Sequence, residues 1–231
     1  RTNLSGSTVH RILKSLQSST FVQQDPLSRH YFLGPLLYHL TSNPIEMHKI
    51  LILNSLAEMH HLMKISRETV TLCVPLGKGR MATDRICLEE VESQEGLKFT
   101  TGKGSIAPIY VGSAGKIILS EMSEEQRALI FSTLSLKKLQ KNSITSKNEL
   151  AEEILKVKKC GYSTSIGERI ADCVAISVPI KNYECPVALS IIGPEGRFSV
   201  RMMAFVDTLQ KSAEKISKNL GQIFRRKEKG A

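Results

Sequence analysis

Tryptophan is absent from the 231 residues, and aromatic residues make up only 5% of the chain. That scarcity argues against a stacked-aromatic platform for single-stranded nucleic acid. Five cysteines, at 73, 87, 160, 173 and 185, include no C-x-x-C pair and leave an odd thiol. Neither a disulfide framework nor a structural zinc site is therefore expected, and reduced, mostly buried thiols in a cytoplasmic protein fit better. No apolar run is long enough for a membrane span and no secretory signal is visible, so no membrane partner is expected. All six histidines lie between positions 10 and 61. The rest of the chain thus offers neither a His general base nor a His-bearing metal cluster, and no cofactor or metal is expected. His60 and His61 are adjacent, roughly 100° apart on a helix, and poorly placed to share one ion.

Acid is scarce near the front. Residues 1–42 carry Arg1, Arg11, Lys14 and Arg29 against the single Asp25. The whole chain has a net charge of +10, which implies attraction to polyanions without saying which. A second basic cluster, Arg225-Arg226-Lys227-Lys229, reads either as a frayed, solvated end or as a further phosphate-contacting patch. With 41% hydrophobic and 23% charged residues, the composition is that of a soluble globular protein with room for one large or two modest domains. There are no internal repeats or low-complexity tracts. The chain opens on Arg1 rather than Met, so it reads as beginning inside a longer protein.

Within the basic front, Val9, Ile12, Leu13 and Leu16 recur at helical spacing and form one apolar stripe. Ser7, His10, Arg11, Lys14 and Ser18 fall on the other face, and Ser5 or Ser7 is placed to cap the first turn. Phe21-Val22 and Tyr31-Phe32-Leu33-Gly34 are β-prone runs separated by the turn signal Gln24-Asp25-Pro26-Leu27-Ser28. A helix that hides its aliphatics and shows Ser, Thr, His, Arg and Lys, followed by such a hairpin, suits a DNA major groove with a flanking wing. Arg1, Lys14 and Arg29 would hold phosphates, and Ser7, Thr8, His10 and Arg11 would reach base edges. A basic helix face that is merely solvated is the alternative for each of them.

Beyond the wing, Pro35–Leu40 reads as a short helix. A longer helix starts at Pro44 with Ser42 or Asn43 as cap and Ile45, Ile52, Leu56, Met59 and Met63 as its buried stripe. From Glu68 the period changes to two. Strands are expected at 69–74, 82–91 (after a Gly77-Lys78-Gly79 turn), 98–100, 162–165, 174–179 and 186–192, the last two joined by the turn at 181–184. Helices are expected near 114–134, at 149–159 ended by Gly161, and over about 200–224. Glu89, Glu90 and Glu92 read as a charged rim. Strands and helices mixed around an antiparallel sheet make an α+β body.

In this order of elements, the chain resembles the IclR family of transcriptional regulators. The resemblance rests on Ser7-Thr8-Val9-His10-Arg11-Ile12-Leu13 with Phe21-Val22, on Tyr31-Phe32-Leu33-Gly34, and on Ser113-Ala114-Gly115-Lys116. Gly161-Tyr162, Ile176-Ser177-Val178-Pro179-Ile180 and Ser190-Ile191-Ile192-Gly193-Pro194 complete it. It implies a winged helix-turn-helix head over 1–34, linker helices over 35–66 and a GAF-like effector-binding domain over 67–231. It also implies that the first helix and most of the second precede Arg1, and that the protein works as a homodimer or homotetramer on a double-stranded operator. The resemblance assigns Ser5, Ser7, Thr8, His10, Arg11, Lys14 and Arg29 to DNA. It assigns Phe99, Ser113, Ala114, Ser165, Ala175, Ser190 and Ile192 to a small-molecule effector. Gly6 stands where the family often has Lys or Arg. Ser165, Ala175 and Ile192 stand where members that bind small carboxylates have Asp, Cys and Ser, so the ligand expected is a carboxylate or a more apolar metabolite. Cys173 lies two residues from Ala175, on the same strand face.

Independently of the resemblance, the small residues of Gly112-Ser113-Ala114-Gly115 either open a helix N-terminus to an anion or simply allow close helix–sheet packing. Enzyme readings are weaker. Gly102-Lys103-Gly104 lacks the Ser or Thr of a phosphate-binding loop. Ser113-x-x-Lys116 fits an acyl-transfer nucleophile, yet no S-D-N or K-T-G partner exists. A DNA-binding regulator controlled by a metabolite is the reading adopted. A metabolite sensor acting through protein partners and, behind it, the Ser113/Lys116 enzyme are the alternatives.

Overall fold

The computed structural model describes residues 4–37, 43–77 and 82–229, without the side chains of 226–229. Arg1, the Lys78-Gly79 half of the expected turn, the Ser42 cap and the side chains of Arg226, Lys227 and Lys229 lie outside the described residues. The chain divides into two units, Arg1–Lys49 and Ile50–Ala231.

In the first unit, α1 (Gly6–Ser18) is followed by an antiparallel hairpin of β1 (Val22–Gln24) and β2 (Tyr31–Leu33). Gly34 ends the hairpin because nothing larger fits: a Cβ there would stand 2.0 Å from the carbonyl oxygen of Thr20. Its N–H donates to the Phe21 carbonyl at 2.7 Å, which pins the hairpin's exit to the turn after α1. Residues 35–37 are helical, and 38–42 lie outside the described residues. The helix expected from Pro44 is split. Asn43 Oδ1 caps α2 (Pro44–Met47) through the Ile45 N–H at 3.0 Å, and the chain breaks at His48 before α3 (Lys49–Ser66).

The second unit holds a six-stranded antiparallel sheet in the order β5-β4-β3-β8-β7-β6. Its strands are β3 (Thr69–Leu76), β4 (Asp84–Val91), β5 (Ile106–Pro108), β6 (Ser163–Ile166), β7 (Cys173–Ile180) and β8 (Val187–Pro194). The central strands are buried on both faces, so β3 and β8 lack the alternation expected of a half-exposed strand. Helices α4 (Gly112–Glu121), α5 (Glu124–Thr133) and α6 (Lys147–Cys160) join Cys73, Cys87 and Ala188 of the sheet in one core cluster. Glycine at 115 is required, because a Cβ there would stand 2.0 Å from the Ile109 carbonyl oxygen.

Three expectations fail locally. Residues 98–100 form no strand; directly after them the Thr101 and Gly102 N–H groups donate to the Glu90 carboxylate, at 2.6 and 3.2 Å. Glu90 is accordingly a half-buried backbone acceptor rather than a rim charge, while Glu89 pairs with Lys103 and Glu92 with Lys98. The continuous apolar stripe over 200–224 hides a break: α7 (Glu195–Met202) passes through a 3₁₀ turn, Met203–Phe205, into α8 (Val206–Lys229).

Candidate functional site

The Ser5 hydroxyl caps α1 by accepting from the Thr8 N–H at 3.3 Å. It also meets the hydroxyls of Ser7 at 3.0 Å and Thr8 at 2.9 Å, so these three groups form one small network at the helix start. His10, Arg11 and Lys14 are exposed along the same helix, and Thr8 is half-buried. At the wing tip Asp25 organises the turn. Its carboxylate accepts from the Leu27 N–H at 3.0 Å and from the Ser28 hydroxyl, and that hydroxyl is the main reason its pKa is lowered. Arg29 follows in a left-handed conformation (φ 61°), held by its own N–H to the Asp25 carbonyl and by Gln24 Nε2 to its carbonyl, each at 2.9 Å. The apolar side of this unit is open, with Ile12 44%, Phe32 57% and Leu33 64% exposed.

The second unit contains a small cavity of about 50 Å³ at the first turn of α4. Six of the seven positions expected to meet an effector line it: Ser113, Ala114, Ser165, Ala175, Ser190 and Ile192. Phe99, the seventh, is half-buried and is not among the lining residues. Sheet register explains the convergence. Ser165, Ala175 and Ile192 are successive cross-strand partners over β6, β7 and β8, and Ser177, Ser190 and Thr71 form the row beside them. Cys173 shares the cavity with Ala175, as their spacing predicts. The Ser113 hydroxyl meets that of Ser177 at 2.7 Å, and Ser177 bonds Ser190 at 2.7 Å, so a hydroxyl chain runs under the helix start.

Several lining groups escaped the sequence reading, notably Arg85, Arg169, Thr71 and Cys73. Arg85 is only 7% exposed; its Nη1 donates to the Pro108 carbonyl at 2.6 Å, and burial depresses its pKa. No carboxylate is among the cavity-lining residues, which include two arginines. Glu168, whose carboxylate meets the lining residue Gly112, is already engaged. Its Oε2 accepts from the Gly112 N–H at 3.0 Å and its Oε1 holds Lys116 Nζ at 2.7 Å, all of it buried. Glu168 therefore occupies the helix end that the small residues of 112–115 suggested was open to an anion. The same contacts remove the geometric basis of an acyl-transfer pair, since Lys116 is bound to Glu168 and Ser113 to Ser177. Among the described residues no cluster of His, Cys, Asp and Glu could hold a metal ion, and no helix is long and apolar enough to cross a membrane.

A family model described as the bacterial transcriptional regulator IclR C-terminal domain matches residues 47–218. The chain is 27% identical over 226 residues to the HTH-type transcriptional regulator KipR of Bacillus subtilis, covering 95% of this chain and 86% of that protein. It is likewise 27% identical over 225 residues to the HTH-type transcriptional regulator KdgR of Escherichia coli, covering 96% and 83%. Among solved structures, the Thermotoga maritima IclR superposes with a TM-score of 0.70 at 24% identity, over 95% of this chain and 87% of that one. An IclR homologue from Microbacterium hydrocarbonoxydans, solved with 4-hydroxybenzoate, superposes with a TM-score of 0.66 at 22% identity, over 94% and 86%.

Proposed function

The chain belongs to the IclR family of bacterial transcriptional regulators, and on that premise we propose that it senses a small organic carboxylate in the cavity at the start of α4. Its relatives are DNA-binding transcriptional regulators and repressors with an effector-binding C-terminal domain, and this chain is a regulator of that kind. In the reading proposed, residues 1–34 are the DNA-binding head, 35–66 the linker and 67–231 the effector domain of a cytoplasmic homodimer or homotetramer without catalytic activity. Ser5, Ser7, Thr8, His10, Arg11, Lys14 and Arg29 face the operator. Ser113, Ala114, Ser165, Ala175, Ser190 and Ile192 enclose the effector, and Phe99 keeps its proposed place near it.

The observation that carries the ligand class is the cavity's charge: Arg85 and Arg169 line it and no carboxylate does. A buried guanidinium favours a planar, bidentate acceptor. At about 50 Å³ the cavity holds a few waters, whereas ligand sites span roughly 300–1,000 Å³. Ligand entry therefore requires the helix start and the strands to separate, which couples occupancy to the shape of the domain. The 4-hydroxybenzoate bound to the Microbacterium homologue supports including aromatic acids among the candidates.

Two measurements test this reading. Duplex binding by the full-length protein falls with salt at a log–log slope near −0.9 per phosphate contact; no salt-dependent binding overturns the regulator. A thermal-shift panel pairs each carboxylate, aliphatic or aromatic, with its neutral amide. Stabilisation by the acids alone, lost in Arg85→Gln, is expected, and equal stabilisation by the amides overturns the carboxylate.

A further inference from the structure

Cys73 and Cys87 are register partners across the β3–β4 pair, immediately after a bulge that leaves Leu88 without a partner. Residues opposed in this way have Cα atoms about 4.5–5.5 Å apart, within the roughly 4.4–6.8 Å that disulfides span. Both thiols are free and buried, at 4% and 1% exposure, yet their surroundings differ. Cys73 lines the cavity with Arg85 and Arg169, and Cys87 does not. Cys87 Sγ also lies 3.4 Å from the Glu89 carbonyl oxygen, an alternative acceptor for its proton when Cys73 is not ionised. Among the described residues no carboxylate makes an ion pair with Arg85, and the charges that act on it most are those of Cys73, Arg169 and Cys87. A guanidinium buried this far requires a counter-charge, and Cys73 is the group placed to supply one.

We propose that Cys73 is a hydroperoxide-reactive thiolate, paired with Arg85 and resolved by Cys87 into a cross-strand disulfide. The Cys73 thiol is lowered to about 7 from 9.0, first by the hydrogen bond from Cys87, with burial opposing and Arg85 and Arg169 assisting. Cys87 is pushed up by the same bond and by burial, with Glu90 adding to the effect. Thr71, beside Cys73, contributes a hydrogen bond. The other nearby ions, Lys116 and Glu168, neutralise each other. Buried thiols are inert when nothing reaches them, but this one faces a cavity of about 50 Å³, room for a molecule of two heavy atoms and no more than a few waters.

The chemistry balances with hydrogen peroxide as the oxidant. The Cys73 thiolate attacks one peroxide oxygen, the O–O bond breaks, and hydroxide leaves to take up a proton as water. Cys73 is now a sulfenic acid. Its negative charge is gone, and with it the main influence holding the Cys87 proton. Cys87 loses that proton, its sulfur attacks Cys73, and the sulfenic oxygen departs as a second water. Two thiols have given two electrons to one peroxide. The reaction also strips Arg85 of its counter-charge. If the cavity takes a carboxylate, a consequence that rests on the reading above, the oxidised protein binds it more tightly.

The test treats reduced full-length protein with stoichiometric hydrogen peroxide and maps peptides without reduction. The expected result is a loss of two mass units with residues 73 and 87 joined. In Cys87→Ser, the peptide map shows one oxygen gained at Cys73; in Cys73→Ser, neither product forms. The rate at which hydrogen peroxide oxidises Cys73 follows a titration centred near 7, and Arg85→Gln moves that midpoint upward. If Cys73 reacts no faster than the exposed Cys160, or if the wild-type map shows no 73–87 link, the proposal is overturned. The wild-type map decides even where a variant fails to fold. Neither readout involves an effector or DNA, so a failed carboxylate screen leaves this result standing, and the reverse holds too.

Discussion

Arg197 grips Glu68 with two parallel hydrogen bonds, Nε to Oε1 at 2.7 Å and Nη2 to Oε2 at 2.8 Å. The Glu68 side chain is 1% exposed and that of Arg197 33%. The pair ties the entry to β3 onto α7, across the sheet strand that ends at Pro194. Gly193 leaves room for it, since a Cβ there would stand 2.7 Å from Glu68 Oε2. Arg197→Met strands a buried carboxylate and is expected to cost about 3 kcal/mol, lowering Tm by roughly 6–12 °C. The double variant with Glu68→Gln recovers part of that loss, and calorimetry of the three proteins checks it.

Gly115→Ala forces a methyl group into the Ile109 carbonyl, where a Cβ would stand 2.0 Å away. Backbone cannot move aside as a side chain can, so the substitution is expected to cost about 2–3 kcal/mol. Urea unfolding measures it. Gly96→Ala, where a Cβ meets nothing within 4 Å, is the control and leaves the midpoint within experimental scatter.

On DNA, Lys14→Ala and Arg11→Ala separate position from readout. Removing a phosphate contact at Lys14 weakens all duplexes alike and reduces the salt slope by about 0.9. Removing Arg11 costs about 1–3 kcal/mol on one base pair and relaxes the preference there. Fluorescence anisotropy at several salt concentrations distinguishes the two patterns; identical patterns for both would remove Arg11 from the base-reading set.

The low Cys73 pKa makes stability depend on pH in a defined window. Folded Cys73 ionises at about 7 and the unfolded thiol at 9.0. Between those values the unfolded state holds more protons, so stability rises as pH rises from 7 to 9 and is lost as pH falls back through 7. Above 9 the raised Cys87 thiol acts in the opposite direction, because it stays protonated when the unfolded thiol ionises. Urea midpoints across pH 6–9 in reducing buffer should climb for the wild type and stay level for Cys73→Ser.

Local signals explain which parts of this molecule a sequence can show. The α1 stripe, its Ser5 cap, the Asp25 turn and the Gly161 stop act within a few residues of themselves, and each is where the pattern puts it. The cavity was legible only through resemblance, because Ser113, Ser165 and Ser190 come from three elements that meet through sheet register. Arg85 and Cys73 escaped because a buried cation or thiol on a strand looks like any other residue until its cross-strand neighbour is known. Glu90 looked like a rim charge because its acceptor role toward the Thr101 and Gly102 N–H groups depends on a loop eleven residues away. The break at Met203–Phe205 is invisible to periodicity, since the apolar stripe runs through it.

Glu168 gives the start of α4 a resident occupant. Its carboxylate sits on the Gly112 N–H, tethered by a chain that returns from the sheet to hold it there. A tethered group competes at an effective concentration of about millimolar or above. A carboxylate from solution that reaches this helix end must outbid one that never diffuses away. On the carboxylate reading proposed above, the chain would set its own threshold: dilute or weakly bound acids would leave the arrangement untouched, while one abundant enough to win would free Lys116 and the segment between β6 and β7 in a single exchange.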